Sequence, residues 1–191
     1  YDTEGLVWAA CASGVLHSGG IFDDWRTARA QYKPVTVARW FCRSVVDKLA
    51  ALVKPGDLVW SDSVVLSKTI AGLAGIEYFG ANCDPLALQK TIDESPAAVV
   101  LSLAAHGTGK DLQSRSNNLV LTPPASGTAW EQLIGRTHRP GQSSDLVNFR
   151  TLAHTDALRD ALESARRQAA FVEQTTGQAQ KLRVADFFER I

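Results

Sequence analysis

The chain has 191 residues, 45% of them hydrophobic, enough to enclose a substantial core, so a wholly disordered protein is excluded. Twenty Lys and Arg balance twenty Asp and Glu, so no overall charge marks the chain for a polyanion, and any phosphate-binding surface must be a local patch. No apolar run approaches the ~20 residues that span a bilayer, and the first residues lack a basic-then-apolar signal pattern, which predicts a cytoplasmic protein, nuclear in a eukaryote, without membrane contact. Cys11, Cys42 and Cys83 are odd in number and far apart, which predicts free thiols in a reducing compartment and no zinc site. The absence of methionine makes the chain read as part of a larger polypeptide.

Residues 1–34 mix Gly, Ser and Asp with scattered aromatics and read as a lead-in segment with one helix-like piece, residues 25–32. From residue 35 to 53 apolar side chains recur at helical spacing (Val37, Phe41, Val45, Leu49, Leu52), and Pro55-Gly56 ends the run. Short apolar runs then alternate with amphipathic stretches. Strands are predicted at 58–60, 76–79, 97–103, 119–121 and 146–152, and helices at 64–74, 85–94 and 129–136. A long amphipathic helix follows, with Leu158, Leu162, Ala165, Ala169 and Val172 on one face.

Alternation of this kind predicts an α/β fold with a mainly parallel sheet and helices on both faces, followed by a C-terminal helical extension. The expected divisions are 1–34 for the lead-in, 35–152 for the α/β domain and 153–191 for the extension. Ligands of such sheets sit at the carboxyl ends of the strands, so the loops after Leu103 and Leu121 are the places to search.

The first loop reads Ala104-Ala105-His106-Gly107-Thr108-Gly109-Lys110-Asp111-Leu112. Its Gly109-Lys110 imitates a phosphate-binding P-loop, but the next residue must be Ser or Thr to hold magnesium. Asp111 would instead repel phosphate oxygens. The bland reading is a tight strand-to-helix turn.

The second loop leads, past Ser126 and Thr128 as candidate helix caps, into Gln132-Leu133-Ile134-Gly135-Arg136-Thr137-His138-Arg139-Pro140-Gly141-Gln142. Arg136 and Arg139 are spaced to share a helical face, and each carries a permanent charge on a planar fork of donors matching phosphate oxygens. The bland reading is a helix end where cations meet the negative end of the dipole.

Gln-x-x-Gly-Arg-x-x-Arg-x-Gly-Gln resembles motif VI of superfamily-2 helicases and translocases, and its ending resembles the Swi/Snf-like branch. Gly107-x-Gly109-x-Asp111-Leu112 resembles motif V of the same family, one strand and one helix earlier. The resemblance covers about residues 35–152 and implies a three-layer RecA-like helicase C-terminal domain. It also implies that ATP with Mg2+ is held mainly by a first, N-terminal RecA-like domain of the same parent protein.

In that reading Arg136 and Arg139 are catalytic, Arg139 as an arginine finger on the γ-phosphate and Arg136 as its partner. Gly107, Gly109, Asp111, Gln132, Gly135 and Gln142 form the nucleotide side, with Asp111 at the ribose or relaying to the ATP site. Thr108 and Lys110 face a nucleic-acid phosphate, the expected track being double-stranded DNA. His106 and His138 belong to the two motifs, and Trp60, near the position of motif IV, reads as core.

Asp93-Glu94-Ser95 imitates a magnesium-binding Asp-Glu box but ends an amphipathic helix before Pro96, whereas the box ends a buried strand. Two alternatives stand beside the translocase domain: a non-catalytic RecA-like binding or partner module acting in trans, and a self-contained P-loop enzyme. Arg166-Arg167 and Lys181 with Arg183 read as solvated faces.

Overall fold

The computed structural model describes residues 4–17, 19–32, 37, 39–40, 42–107 and 109–184. Its contacts divide the chain into two units, Tyr1–Arg39 and Trp40–Ile191.

The first unit contains two helices, α1 (Glu4–Ala12) and α2 (Ile21–Gln31). Helix α1 escapes the sequence reading because its residues, Leu6 through Ala12, are apolar nearly all round and show no stripe. Helix α2 starts earlier than residue 25 because Gly20, in the left-handed region at φ 95°, begins it. Trp8, Phe22 and Trp25 pack their rings together at centroid distances of 5.2 to 6.2 Å. The Arg29 guanidinium lies 4.9 Å from the Trp25 ring.

The second unit opens with α3 (Arg43–Ala51), well inside the run expected from residue 35. Val37 is exposed and non-helical, Cys42 is extended, and Phe41 lies outside the described residues. Val46 and Leu49 remain to bury the inner face of α3.

From there the elements follow the expected order: β1 (Asp57–Ser61), α4 (Val64–Ala74), β2 (Glu77–Phe79), α5 (Pro85–Glu94), β3 (Val99–Ser102), α6 (Leu103–His106), β4 (Asn117–Val120), α7 (Gly127–Thr137), β5 (Asn148–Thr151), α8 (Asp156–Thr176) and α9 (Lys181–Val184). Two of these, the short helices α6 and α9, were not expected. Local chemistry sets their ends. Ser63, Asp84, Ser126 and Thr155 each accept a backbone N–H at a helix start, and Gly75 ends α4 in the left-handed conformation at φ 65°. Of the two candidate caps for α7, Ser126 makes the bond, from Ala129 N at 3.4 Å.

The five strands form one all-parallel sheet in the order β2-β3-β1-β4-β5. Leu58 and Trp60 face one layer while Val59, between them, faces the other, as the two-residue period of a strand requires. Helices α3 and α4 cover the Val59 face; α5 and α7 cover the Trp60 face, with α8 and α9 packed on α7. The crossover from β1 out to β2 runs over one face and those returning toward β5 run over the other. A single connection handedness produces this arrangement. Trp60 is core, fully buried with its indole Nε1 donating to Asn118 Oδ1 at 3.0 Å.

Candidate functional site

Helix α7 decides where the site lies. It leaves the carboxyl end of β4 and returns to the start of β5, so its last turn emerges beside the amino ends of the strands. Asn118, near the start of β4, shows this by donating to Thr137 Oγ1 at 3.3 Å and to the Asn148 carbonyl, at the start of β5, at 3.3 Å. The arginines therefore stand at the opposite edge from the one the carboxyl-end rule selects. The chain between α6, which follows β3 at the carboxyl edge, and β4 bridges the distance, with Leu112 fully buried on the way.

Both arginines meet this loop. Arg136 Nη1 donates to the Lys110 carbonyl at 3.1 Å, its Nε donates to the Gln132 carbonyl at 3.2 Å, and Leu112 N donates to the Arg136 carbonyl at 3.2 Å. Arg139 Nη1 forms an ion pair with Asp111 Oδ1. The shared helical face expected for the two does not form. Helix α7 stops at Thr137, His138 turns out of it and is exposed, and Arg139 begins the turn closed by Gln142 N on the Arg139 carbonyl at 3.1 Å. Pro140 cannot continue the helix and Gly141, at φ 94°, supplies the left-handed step.

Gln142 holds that turn in place. Its Nε2 donates to the Arg115 carbonyl at 2.9 Å and the Thr137 carbonyl at 3.0 Å, while its Oε1 accepts from Ser144 N at 2.9 Å. Gln132 is exposed, and a Cβ added at Gly135 would meet nothing within 4 Å, so this stretch of α7 keeps an open surface beside Arg136. The glycines of the loop differ in kind. A Cβ at Gly107 would lie 2.5 Å from the Leu103 carbonyl oxygen, whereas Gly109 is required by its φ of 74°. Thr108, expected at a nucleic-acid phosphate, lies outside the described residues; Lys110 is half-buried.

His106 is buried, unlike His138. Its Nε2 faces the Gly80 carbonyl at 3.0 Å, which places the proton on that nitrogen, and the Cys83 thiol at 3.5 Å. Its Nδ1 is buried without a partner among the described residues. Burial holds the imidazole below the usual histidine range; the Lys110 charge adds to this and the Gly80 carbonyl opposes it.

Arg115, which no sequence signal singled out, is 7% exposed and caps the end of α5. It donates to the carbonyls of Ile92 at 3.0 Å, Ala97 at 3.1 Å and Thr91 at 3.3 Å, and also to Ser95. Burial lowers its pKa, opposed by nearby Asp93. The Asp93-Glu94-Ser95 segment is accordingly a helix end, with exposed Asp93 accepting from Gln89 Nε2 at 2.9 Å and Ser114 Oγ at 3.3 Å. Lys181 is not simply solvated: its ammonium and its backbone N both reach the Glu131 carboxylate, which ties α9 to α7. Arg183 pairs with Glu173 at 3.2 Å and Arg167 with Glu163 at 3.6 Å.

No protein-family model matches the chain, and no curated protein matches it. Solved structures do. The C-terminal part of the Fun30 ATPase domain superposes with a TM-score of 0.52 at 18% identity, covering 64% of this chain and 44% of that one. The fold is RecA-like. The helicase Lhr of Mycobacterium smegmatis, bound to ssDNA and AMP-PNP, also matches, with a TM-score of 0.46 at 16% identity over 73% of this chain and 19% of that one. At 18% identity it is the fold that is shared with the Fun30 domain. Within this RecA-like frame, residues 110–115 and 132–142, separated by β4, are brought together at one edge of the sheet. No described helix is long and apolar enough to cross a membrane.

Proposed function

We propose that the chain is the second RecA-like domain of a Swi/Snf-like superfamily-2 ATPase that translocates along nucleic acid, the expected track being double-stranded DNA. One observation carries this reading: the two segments that resemble motifs V and VI converge, with Arg136 on the Lys110 carbonyl and Arg139 on the Asp111 carboxylate. A helix end by itself would not require the left-handed Gly109, which lies on the other converging segment.

The residues present fit the outer side of an ATP site and no more. Arg139 is part-exposed on a turn, Gln132 is exposed on α7, and the position of Gly135 opens to free space, so a phosphate chain carried on another surface has room to approach. ATP with Mg2+ supplies the phosphoanhydride bond whose hydrolysis drives the cycle, and the sequence of this chain offers no P-loop or Asp-Glu box to hold it. The first RecA-like domain of the parent would hold phosphates and metal. Arg139 would place its positive charge against the γ-phosphate, with Arg136 beside it, and the fork suits charge spread over several oxygens.

Gln142 and Gly141 set the turn, and Gly107 and Gly109 shape the loop that carries Asp111. Lys110, together with Thr108, would face the nucleic-acid backbone, giving salt-sensitive, sequence-independent contact. Closing the two domains assembles the site, and reopening moves one domain along the track.

The test is Arg139→Ala in the full parent protein. ATP turnover is expected to collapse while nucleic-acid binding persists. Turnover near wild type would instead favour a non-catalytic RecA-like partner module.

A further inference from the structure

In the domain by itself Arg139 already has a negatively charged partner. Its guanidinium is paired with a carboxylate of its own chain, and that carboxylate belongs to the other converging segment. We infer that Asp111 is a positioning residue that holds Arg139 as an exchangeable stand-in for phosphate, so that any phosphate chain reaching Arg139 must displace the Asp111 carboxylate.

The backbone on both sides is fixed while the side chains are free to part. On the loop side, Lys110 accepts from Arg136 and Leu112 donates to it, at 3.1 and 3.2 Å, so Asp111 is held from both neighbours. On the turn side, the Arg139 carbonyl accepts from Gln142 N at 3.1 Å and the Gln142 side chain anchors to Arg115 and Thr137. The side chains themselves are 38% exposed for Arg139 and 65% for Asp111. Water solvates each well, so parting them costs little, whereas a phosphate chain offers several charged oxygens to the same fork. Exchange then needs only side-chain rotation, and the freed carboxylate becomes available to other donors.

This inference rests on the proposed function for its meaning, but its test does not. Binding of inorganic tripolyphosphate to the 191-residue chain is measured by calorimetry at low salt. Asp111→Asn is expected to tighten it by roughly two- to fivefold, the range a surface ion pair spans. Asp111→Glu should stay close to wild type. In an Arg139→Ala background the same Asp111→Asn change should give no gain.

An affinity unchanged by Asp111→Asn overturns the inference. A gain that survives without Arg139 also overturns it, because removing one negative charge would then act only through its field. The Arg139 guanidinium resonances, followed by nitrogen NMR, provide a second reading; they should shift on Asp111→Asn, and their invariance counts against the pair. The two ideas fail separately. If the affinity cycle behaves as expected while Arg139→Ala leaves parental turnover intact, the function falls and the Asp111 hold stands. If turnover collapses while the cycle shows no coupling, only the hold falls.

Discussion

The Arg150–Asp57 and Arg139–Asp111 pairs each join distant segments of this domain, and they differ in where they sit. Arg150 on β5 reaches across β4 to Asp57 at the start of β1, where Asp57 is 2% exposed, also accepts Lys54 N at 2.7 Å, and Arg150 Nη1 donates to the Leu52 carbonyl at 3.0 Å. Arg139 pairs with Asp111 in the open. The first pair is surrounded by further hydrogen bonds that make it a fixed part of the amino edge of the sheet. Among the described residues, the second shows no further side-chain hydrogen bond. Burial thus turns one pair into a staple and leaves the other exchangeable, because separating charges is costly only where water cannot replace the lost partner.

Substitutions can break this contrast in either direction. The largest effect is expected from Arg139→Ala in the parent protein, a fall of ~10³ in ATP turnover, with stability in urea unchanged to about 0.5 kcal/mol. A large loss of stability would make Arg139 a staple as well. Next comes Asp57→Ala, which strands Arg150 and Lys54 N. A cost of about 2–4 kcal/mol is expected, at the lower end for a buried pair because Arg150 is one-third exposed. Denaturation midpoints within error of wild type would remove the distinction between the pairs.

Arg115→Lys keeps the charge but not the fork that reaches four carbonyls, so a loss of about 1–2 kcal/mol is expected in the same assay. Asp111→Ala should cost less than about 1 kcal/mol.

The smallest effect is one of pH. Because the folded pKa of His106 is lowered, the unfolded chain takes up a proton near ~6.5 that folded His106 refuses until lower pH. Stability from this group is therefore complete well above pH 6.5, falls as pH drops through that value, and levels off below the folded pKa. His106→Gln, which can still donate to Gly80, should flatten that part of the profile. An unchanged slope would show that another group sets it.

The sequence read well where period and punctuation agreed. Helices α4 and α5 fall at the expected residues because Ser63 and Asp84 start them, Pro85 fits a first turn, and Gly75 and Ser95 end them. It read poorly at α1, which has no polar face, and at the start of α3, where helical spacing ran back past Cys42, an extended residue. In the site, the residues of both loops were legible as a charge-and-glycine pattern. Their geometry was not, since the spacing that puts two arginines on one face holds only while the helix continues, and α7 ends between them.

Composition and order alone determined an α/β chain with a parallel sheet, the positions of α4, α5, α7 and α8, and the two segments rich in phosphate-matching chemistry. Those properties follow from local terms: side-chain period, caps, turn residues and donor shape. Only the tertiary structure decided that Asp57 meets Arg150, that Arg115 closes α5, and that Asp111 meets Arg139 at the amino edge of the sheet. Such pairings depend on how parallel strands bring remote residues side by side, and neither spacing nor residue type encodes that distance.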